Sequence, residues 1–387
     1  MRFAFVIVLI AARTACAQSS FELHGFFTAR GISVDAQRSW AAGGMGKFAV
    51  GAESGDDRRF VDVESAQLGF DWTPVRWLTL HADGIARREP PETGGKRAGL
   101  VQAYADVFNE KWRLRAGTFW HPTSRENVDP LWNSRYSITY SALNSWIGQE
   151  VRPVGVDLQY SPNFYLTVGA TAFRGNDTMG TLLSDRGWTF GDRLSVYGEN
   201  LPRPWEDPPT TRAIGPDLDG KNGYSGRIRV QVPERAMIQL THIENRAPLV
   251  SELKGQEPWR TKFDIIGLQF GQTTSPRVIA AEWARGSTTI GFRGGSAQTD
   301  FDTAYLLVSQ KRGRDRYTTR IERFWTRDHE RSPDDEGREN GRALTIAWFR
   351  DLSEKVRLGF EYVRVDGERV DLPVDGSTII LDLRYAF

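Results

Sequence analysis

Arg227-Ile228-Arg229-Val230-Gln231-Val232 alternates polar and aliphatic side chains at every step. Successive side chains of an extended strand point to opposite faces, so this segment offers Arg227, Arg229 and Gln231 to one environment and Ile228, Val230 and Val232 to another. A tight link at 233–235 follows, and a further extended segment begins at 236. Working outward, the same period governs the chain. In 21–30 one face carries Phe21, Leu23, Gly25, Phe27 and Ala29, and the other carries Glu22, His24, Thr28 and Arg30. Segments 112–116, 154–160, 356–362 and 379–387 repeat the alternation. Less regular stretches lie at 60–73, 76–89, 98–109, 164–174, 236–246, 261–272, 277–286, 302–312, 316–327 and 342–350. Together they predict about sixteen strands of roughly ten residues, the length a tilted strand needs to cross a bilayer.

The links alternate in length. Short ones fall at 73–75, 109–111, 161–163, 233–235, 273–276, 313–315 and 351–355. Long ones fall at about 31–59, 90–97, 122–150, 175–223, 247–260, 287–301, 328–341 and 366–376. A two-sheet sandwich has no reason to alternate in this way, whereas an outer-membrane barrel joins its strands by short periplasmic turns and longer external loops. The expected fold is therefore all-β: a transmembrane antiparallel up-and-down barrel, with both chain ends on the periplasmic side. Aromatic residues agree with two interfacial belts. Trp72, Trp77, Phe108, Trp112, Phe164, Tyr165, Phe270, Tyr317 and Tyr385 sit beside short links, and Phe27, Trp120, Phe173, Trp283 and Trp325 sit toward the other ends.

Composition fits the same picture. The 387 residues hold 50 Lys+Arg against 49 Asp+Glu, a balance unlike that of a protein that binds nucleic acid by neutralising phosphates. One Cys excludes a disulfide scaffold and a thiolate metal cluster. Mean hydropathy is −0.46 despite 38 Gly, 13 Trp and 21 Phe, as expected where lipid takes the apolar half of each strand and water the charged half. Residues 1–17 read as a secretory signal peptide: Arg2, an apolar run at 3–12 too short to span a bilayer, then Ala15-Cys16-Ala17. Cleavage after Ala17 removes Arg2 and Arg13, leaving 18–387 as one barrel domain.

The chain resembles a Gram-negative outer-membrane porin, in the general or the phosphate- and dicarboxylate-type branch. The residues that carry the resemblance are the signal peptide, Glu22-Leu23-His24-Gly25-Phe26, the strand pattern, Arg115-Ala116-Gly117-Thr118-Phe119-Trp120 before a long third loop, and the terminal Leu383-Arg384-Tyr385-Ala386-Phe387. The resemblance implies a homotrimer in outer-membrane lipid and lipopolysaccharide, and a third loop folded inward over about 122–150. It also implies that Tyr385 and Phe387 signal to the barrel-assembly machinery. Lysines are few and sit mostly in loops and turns, a departure from a lysine-based phosphate filter.

Lipid contact assigns the faces, because Arg or Lys facing lipid at the bilayer midplane costs roughly 2–4 kcal/mol. The lumen is then expected to receive the basic Arg30, Arg87, Arg113, Arg115, Arg152, Arg227, Arg229, Arg320, Arg357 and Arg384. The acidic members are Glu22, Asp83, Asp106, Asp157, Glu282, Glu322, Glu361 and Asp382. Arg113 with Arg115 and Arg227 with Arg229 form two basic pairs, read either as a ladder for anions or as part of a wall network with carboxylates. On the third loop, Arg125, Glu126, Asp129, Arg135, Glu150 and Arg152 are candidates for a transverse field at a constriction, or for ordinary surface charge. The Pro-rich fourth loop is open to reading as a lid, a clasp or a disordered tip.

No cofactor is expected. The five histidines show no metal-ligand spacing, and Asp217-Leu218-Asp219-Gly220-Lys221-Asn222-Gly223 reads as an Asp/Gly turn rather than a calcium loop. Asp334-Asp335-Glu336 reads as a solvated acidic loop able to touch ions bridging lipopolysaccharide. The expectation is passive diffusion of small hydrophilic solutes or ions, weakly favouring anions. The alternatives are a barrel lipase or protease, for which His121 beside Ser124 is the weak candidate, and a secreted carbohydrate-binding sandwich.

Overall fold

A computed structural model describes residues 19–52, 58–91, 93–127, 131–204, 209–214, 216–329, 337–370 and 372–387. The expected signal segment, Asp129 and Asp334-Asp335-Glu336 lie outside the described residues. The strands are β1 (Ser20–Ala36), β2 (Arg59–Val75), β3 (Leu78–Arg88), β4 (Ala98–Phe108), β5 (Trp112–Thr118), β6 (Val154–Tyr160) and β7 (Leu166–Arg174), followed by β8 (Asn200–Pro202) and β9 (Thr210–Arg212). Next come β10 (Gly223–Val232), β11 (Ala236–Glu244), β12 (Arg260–Phe270), β13 (Arg277–Phe292), β14 (Gly295–Arg312) and β15 (Asp315–Asp328). The chain ends with β16 (Glu339–Asp351), β17 (Val356–Arg369), β18 (Leu372–Pro373) and β19 (Gly376–Ala386). Two α-helices, α1 (Ala142–Glu150) and α2 (Thr181–Arg186), lie in the third and fourth long loops. No helix among the described residues is long and apolar enough to cross a membrane.

Sixteen strands pair antiparallel, each with its neighbour, and β19 returns to β1 to close the barrel, in register from Phe26 opposite Ala386 to Ala36 opposite Gly376. The small strands β8 and β9 pair only with each other, and β18 adds to the end of β17. Closure removes every free edge. It also leaves no second sheet to enclose a sandwich core, which rules out the secreted sandwich. In β10 the alternation has its expected consequence: Ile228, Val230 and Val232 are about half exposed on the outer surface, whereas Arg227 is buried inside.

The sixth long link, expected at 287–301, is absent. β13 and β14 run on to pair Phe292 with Gly295, joined by Arg293 and Gly294, and Gly294 takes a positive φ of 100° that suits a two-residue hairpin. These strands, 16 and 18 residues long, exceed what a bilayer requires. Their outer ends carry outward-facing polar pairs, such as Trp283 Nε1 on Asp302 at 2.9 Å and His329 with Asp300 at 2.8 Å. Above the apolar band the outer surface meets water, so the ban on outward charge lapses.

The short-turn aromatic belt is exposed on the outside: Trp72, Trp77, Trp112, Phe164, Tyr165, Phe270 and Tyr317 all present large surfaces there. The other belt differs from expectation. Phe27 and Trp283 face outward, but Trp120 and Phe173 are buried inside, Trp120 stacked on Trp132 with ring centroids 4.5 Å apart. The interior at the long-loop end is not a plain water column. Phe48 of the first loop, Trp146 of the third, and Trp188 and Phe190 of the fourth join the inward Phe263, Phe301 and Phe324 of the wall in one apolar cluster.

Candidate pore and constriction

The third loop leaves β5 at Thr118 and regains the wall at Val154. Within it, Ser141 caps α1, its hydroxyl accepting the Asn144 N–H at 3.3 Å, and Pro153 follows soon after the helix end. Every residue of α1 is buried. Bonds to inward-facing carboxylates hold the loop against the wall. The N–H groups of Ile138 and Thr139 donate to Glu361 of β17 at 2.5 and 2.8 Å, and that of Ala142 donates to Glu322 of β15 at 2.9 Å. The Asn144 amide donates to Glu282 of β13 at 2.8 Å, and the Tyr305 hydroxyl donates to the same carboxylate at 2.6 Å. Arg320 of β15, fully buried, joins Glu126 of the loop at 2.8 Å, Glu322 at 2.7 Å and the Thr139 carbonyl at 2.8 Å.

Most remaining wall charges pair across strands. Asp106 accepts from both Arg113 and Arg115, the latter at 2.9 Å, and Asp157 accepts from Arg227 at 2.6 Å. Arg30 bridges Asp382 at 2.6 Å and Asp192 at 2.7 Å. Asp83 takes His81 at 3.0 Å and Gln102 at 2.9 Å. Three wall-strand cations of the expected lumen set differ. Arg229 reaches the Thr167 hydroxyl at 3.3 Å, Arg357 lies over the Phe349 ring at 4.0 Å and Arg384 over the Phe26 ring at 4.4 Å; none has an ion-pair partner among the described residues.

On the third loop, Arg125 donates to the Thr123 carbonyl at 3.0 Å and touches Met237, while Arg135 is exposed at the loop's tip. Glu150 and Arg152 look toward the fourth loop. Glu150 accepts from Gly180 N at 3.1 Å, Leu182 N at 3.0 Å and Trp146 Nε1 at 2.7 Å, and burial pushes its carboxyl up to about 7. Arg152 lies over Trp120 at 4.2 Å and donates to the Ser195 carbonyl; burial lowers its guanidinium to about 10.

The fourth loop is part of this interior, which the sequence reading left open. Trp188 N donates to Glu339 at 2.8 Å, a carboxylate also paired with Lys47 of the first loop. Glu199 takes Arg87 at 2.7 Å and Arg193 at 2.8 Å, and Arg203 grips Asp185 at 2.6 Å. The available signal was apolar residues inside a polar, Pro-rich link: Leu182, Leu183, Trp188, Phe190, Leu194 and Val196, all fully buried.

His121 and Ser124 make no hydrogen bond to one another among the described residues. The His121 ring packs between Phe119 and Phe173, and burial drives its imidazole down to about 4. The Ser124 hydroxyl accepts the N–H groups of Glu126 and Asn127, each at 2.9 Å, a turn role rather than a nucleophile's. Asp217 and Asp219 form side-chain turns to Gly220 N and Lys221 N at 2.7 and 2.8 Å. At the C-terminus, Tyr385 faces outward, and Phe387 exchanges backbone bonds with Gly25 at 3.1 and 3.2 Å, which seals the end of the β1–β19 seam.

No family model and no curated protein matches the chain. Solved structures do. The outer-membrane channel DcaP of Acinetobacter baumannii superposes with a TM-score of 0.60 at 13% identity, covering 95% of this chain and 97% of that one. An anion-selective porin from Comamonas acidovorans gives 0.56 at 11% identity, over 96% and 100% of the two chains. A loop-deletion mutant of OmpT, an outer-membrane protein of Vibrio cholerae, gives 0.58 at 9% identity, over 95% and 99%. At these identities the likeness is one of fold, and the chain has the sixteen-stranded fold of the outer-membrane porins.

Proposed function

We propose that this protein is an outer-membrane channel through which small hydrophilic solutes diffuse passively, with a weak preference for anions. The observation that carries the reading is the closed barrel itself: its outer band is apolar, and its inner wall holds charges of both signs and a loop hung from that wall. A wall lined in this way keeps a path hydrated, and the fields of its charged groups together with its width decide what passes. The preference for anions follows from Arg229, Arg357 and Arg384, cations that no wall carboxylate pairs with among the described residues. Loops packed into the long-loop half restrict passage to small solutes. The charges of the third loop act at that restriction through the loop's attachment at Glu126, Glu150 and Arg152, while Arg135 at its tip faces the short-turn end.

The reading includes export by the N-terminal segment, assembly signalled by Tyr385 and Phe387, and a homotrimer within lipid and lipopolysaccharide. The outer surface supports the trimer. On β1–β4 it carries Ala29, Gly31, Ala66, Ala82, Ala86 and Ala98 between the bulkier Phe27, Leu68 and Leu100, whereas on β10–β15 Ile228, Val230, Leu240, Leu306 and Ile321 form a more uniformly bulky face. Bulky aliphatics suit lipid chains, and small residues let a neighbouring barrel approach closely. The decisive experiment reconstitutes the detergent-folded chain in planar bilayers. Stepwise conductance with a reversal potential on the anion side in a salt gradient is expected; an absence of steps refutes the reading.

A further inference from the structure

The unpaired cations are not spread evenly over the wall. Where the turns at 271–276 and 352–355 meet the tip of the third loop, the short-turn end of the barrel holds a cavity of about 580 Å³. Six cationic side chains line it against only two carboxylates, Asp351 and Glu354. Asp351 is already engaged by Lys311 at 3.1 Å.

Two of the cations oppose each other. Arg357 of β17 and Arg384 of β19 are direct cross-strand partners, an arrangement that destabilises a ladder when both carry the same charge. Neither has a carboxylate in ion-pair contact among the described residues. Arg357 rests on the Phe349 ring at 4.0 Å; Arg384 rests on the Phe26 ring at 4.4 Å and donates to the side-chain oxygen of Asn133 on the loop tip. The Nε–H of each guanidinium is buried without an acceptor. Asp382, two residues from Arg384, is held by Arg30 at 2.6 Å. Arg316, which also lines the cavity, donates to the neutral Ser309 hydroxyl at 2.9 Å and lies over the face of Tyr136, with no ion-pair partner among the described residues. Buried guanidinium N–H groups left unpaired are costly, and a planar oxyanion that accepts them in pairs removes that cost.

We propose that this cavity is a binding site for a small polyvalent oxyanion, a phosphate or carboxylate group gripped by Arg357 and Arg384 together, with Arg316 and Lys355 supplying further positive charge. The proposal rests on the channel reading above and locates its anion preference in one place. A cavity of this size accommodates a small metabolite. The opposed arginines favour two negative charges over one, because a single charge leaves their mutual repulsion partly uncompensated.

The test measures chloride current through single channels while inorganic phosphate or, in a parallel arm, succinate is titrated in. Saturable block is expected, and the arm that blocks at the lower concentration identifies the headgroup. R357Q/R384Q should raise the half-blocking concentration about tenfold or more, since each lost charged hydrogen bond is worth about 1.5–3 kcal/mol. K355Q, on an exposed turn where folding is not at risk, should raise it by a smaller factor. Channels that conduct but show no block, or the same block in R357Q/R384Q, overturn the site and leave the channel standing. If no channel conducts, calorimetric titration of phosphate and succinate into the detergent-folded chain decides the site alone. Heat of binding that is lost in R357Q/R384Q supports it; no heat from wild type overturns it.

Discussion

Replacing Arg320 by Met isolates what holds the third loop inside the barrel. The guanidinium is fully buried on β15 and makes three charged or carbonyl bonds of 2.7–2.8 Å, to Glu322, Glu126 and the Thr139 carbonyl. Those two carboxylates in turn hold the loop backbone, Glu322 at Ala142 N and Glu126 at Ser141 N. Met fills similar volume but strands two carboxylates in a dry interior, and breaking a buried ion pair from one side costs about 3–5 kcal/mol. The sixteen strand ladders are untouched, so the loss falls on the docking of the loop. At about 1.4 kcal/mol per decade, docking weakens by roughly two to three and a half orders of magnitude. Trypsin reports it directly, because Arg125, followed by Glu126, is buried in the docked loop. Wild type should resist cleavage there. R320M should be cut after Arg125 while still migrating as a folded, heat-modifiable barrel, and its single-channel current should become noisier. R320K keeps the charge but not the planar fork and should fall between the two. If R320M resists trypsin and conducts quietly, the carboxylate–guanidinium cluster is not what positions the loop.

Three further outcomes test other parts of the interior. Burial holds the His121 imidazole at about 4, below its ordinary 6.5, so its stabilising contribution is whole above pH 6.5 and is lost as pH falls toward 4, up to about 3 kcal/mol in all. Glu150, raised to about 7 by burial, works in the opposite direction, so the informative quantity is a difference: the thermal unfolding midpoint of H121F should gain on that of wild type between pH 7.5 and pH 4.5, and an unchanged difference would refute the assignment. W188A removes a fully buried ring that packs against Trp146 and Phe301, a loss of about 3–5 kcal/mol, and should expose Arg186 and Arg193 of the fourth loop to trypsin; continued resistance would mean the apolar cluster does not hold that loop. R113Q/R115Q strips Asp106 of its partners and should move the reversal potential toward cations, and an unchanged potential would place Asp106 away from the ion path.

The fold could be read in the sequence because lipid acts as a filter on every second residue. In 227–232 and 356–362 no charged side chain can sit on the outer face within the apolar band, and the pattern survives without any knowledge of neighbours. The filter fails where lipid ends. The stretch 287–301 carries Gly291, Gly294 and Gly295 among Ser and Thr, and its outer face meets water, so a hairpin there has the composition of a loop. Trp120 and Phe173 misled for a related reason, since a belt assignment assumes a watery lumen and three loops supply an apolar one at that level. The candidate site was legible residue by residue but not as a network. Periodicity puts Glu282, Glu322 and Glu361 on the inner face; only the path of the third loop reveals that all three face its backbone or its Asn144.

The near-equal totals of acidic and basic residues conceal a division of labour within the wall. In the long-loop half nearly every charge is spent on scaffolding: Arg320 on Glu126, Arg87 and Arg193 on Glu199, Arg203 on Asp185, Lys47 on Glu339. Pairs of this kind cancel at a few ångströms and project little field into a water path. Selectivity can come only from charges left over, and at the short-turn end these are cations, Arg357 and Arg384 opposed across strands with Arg316 beside them. A net charge near zero is therefore compatible with a marked local preference. It limits the field averaged over the whole barrel, and it does not limit the field at the one level where an anion entering or leaving the channel must shed part of its water.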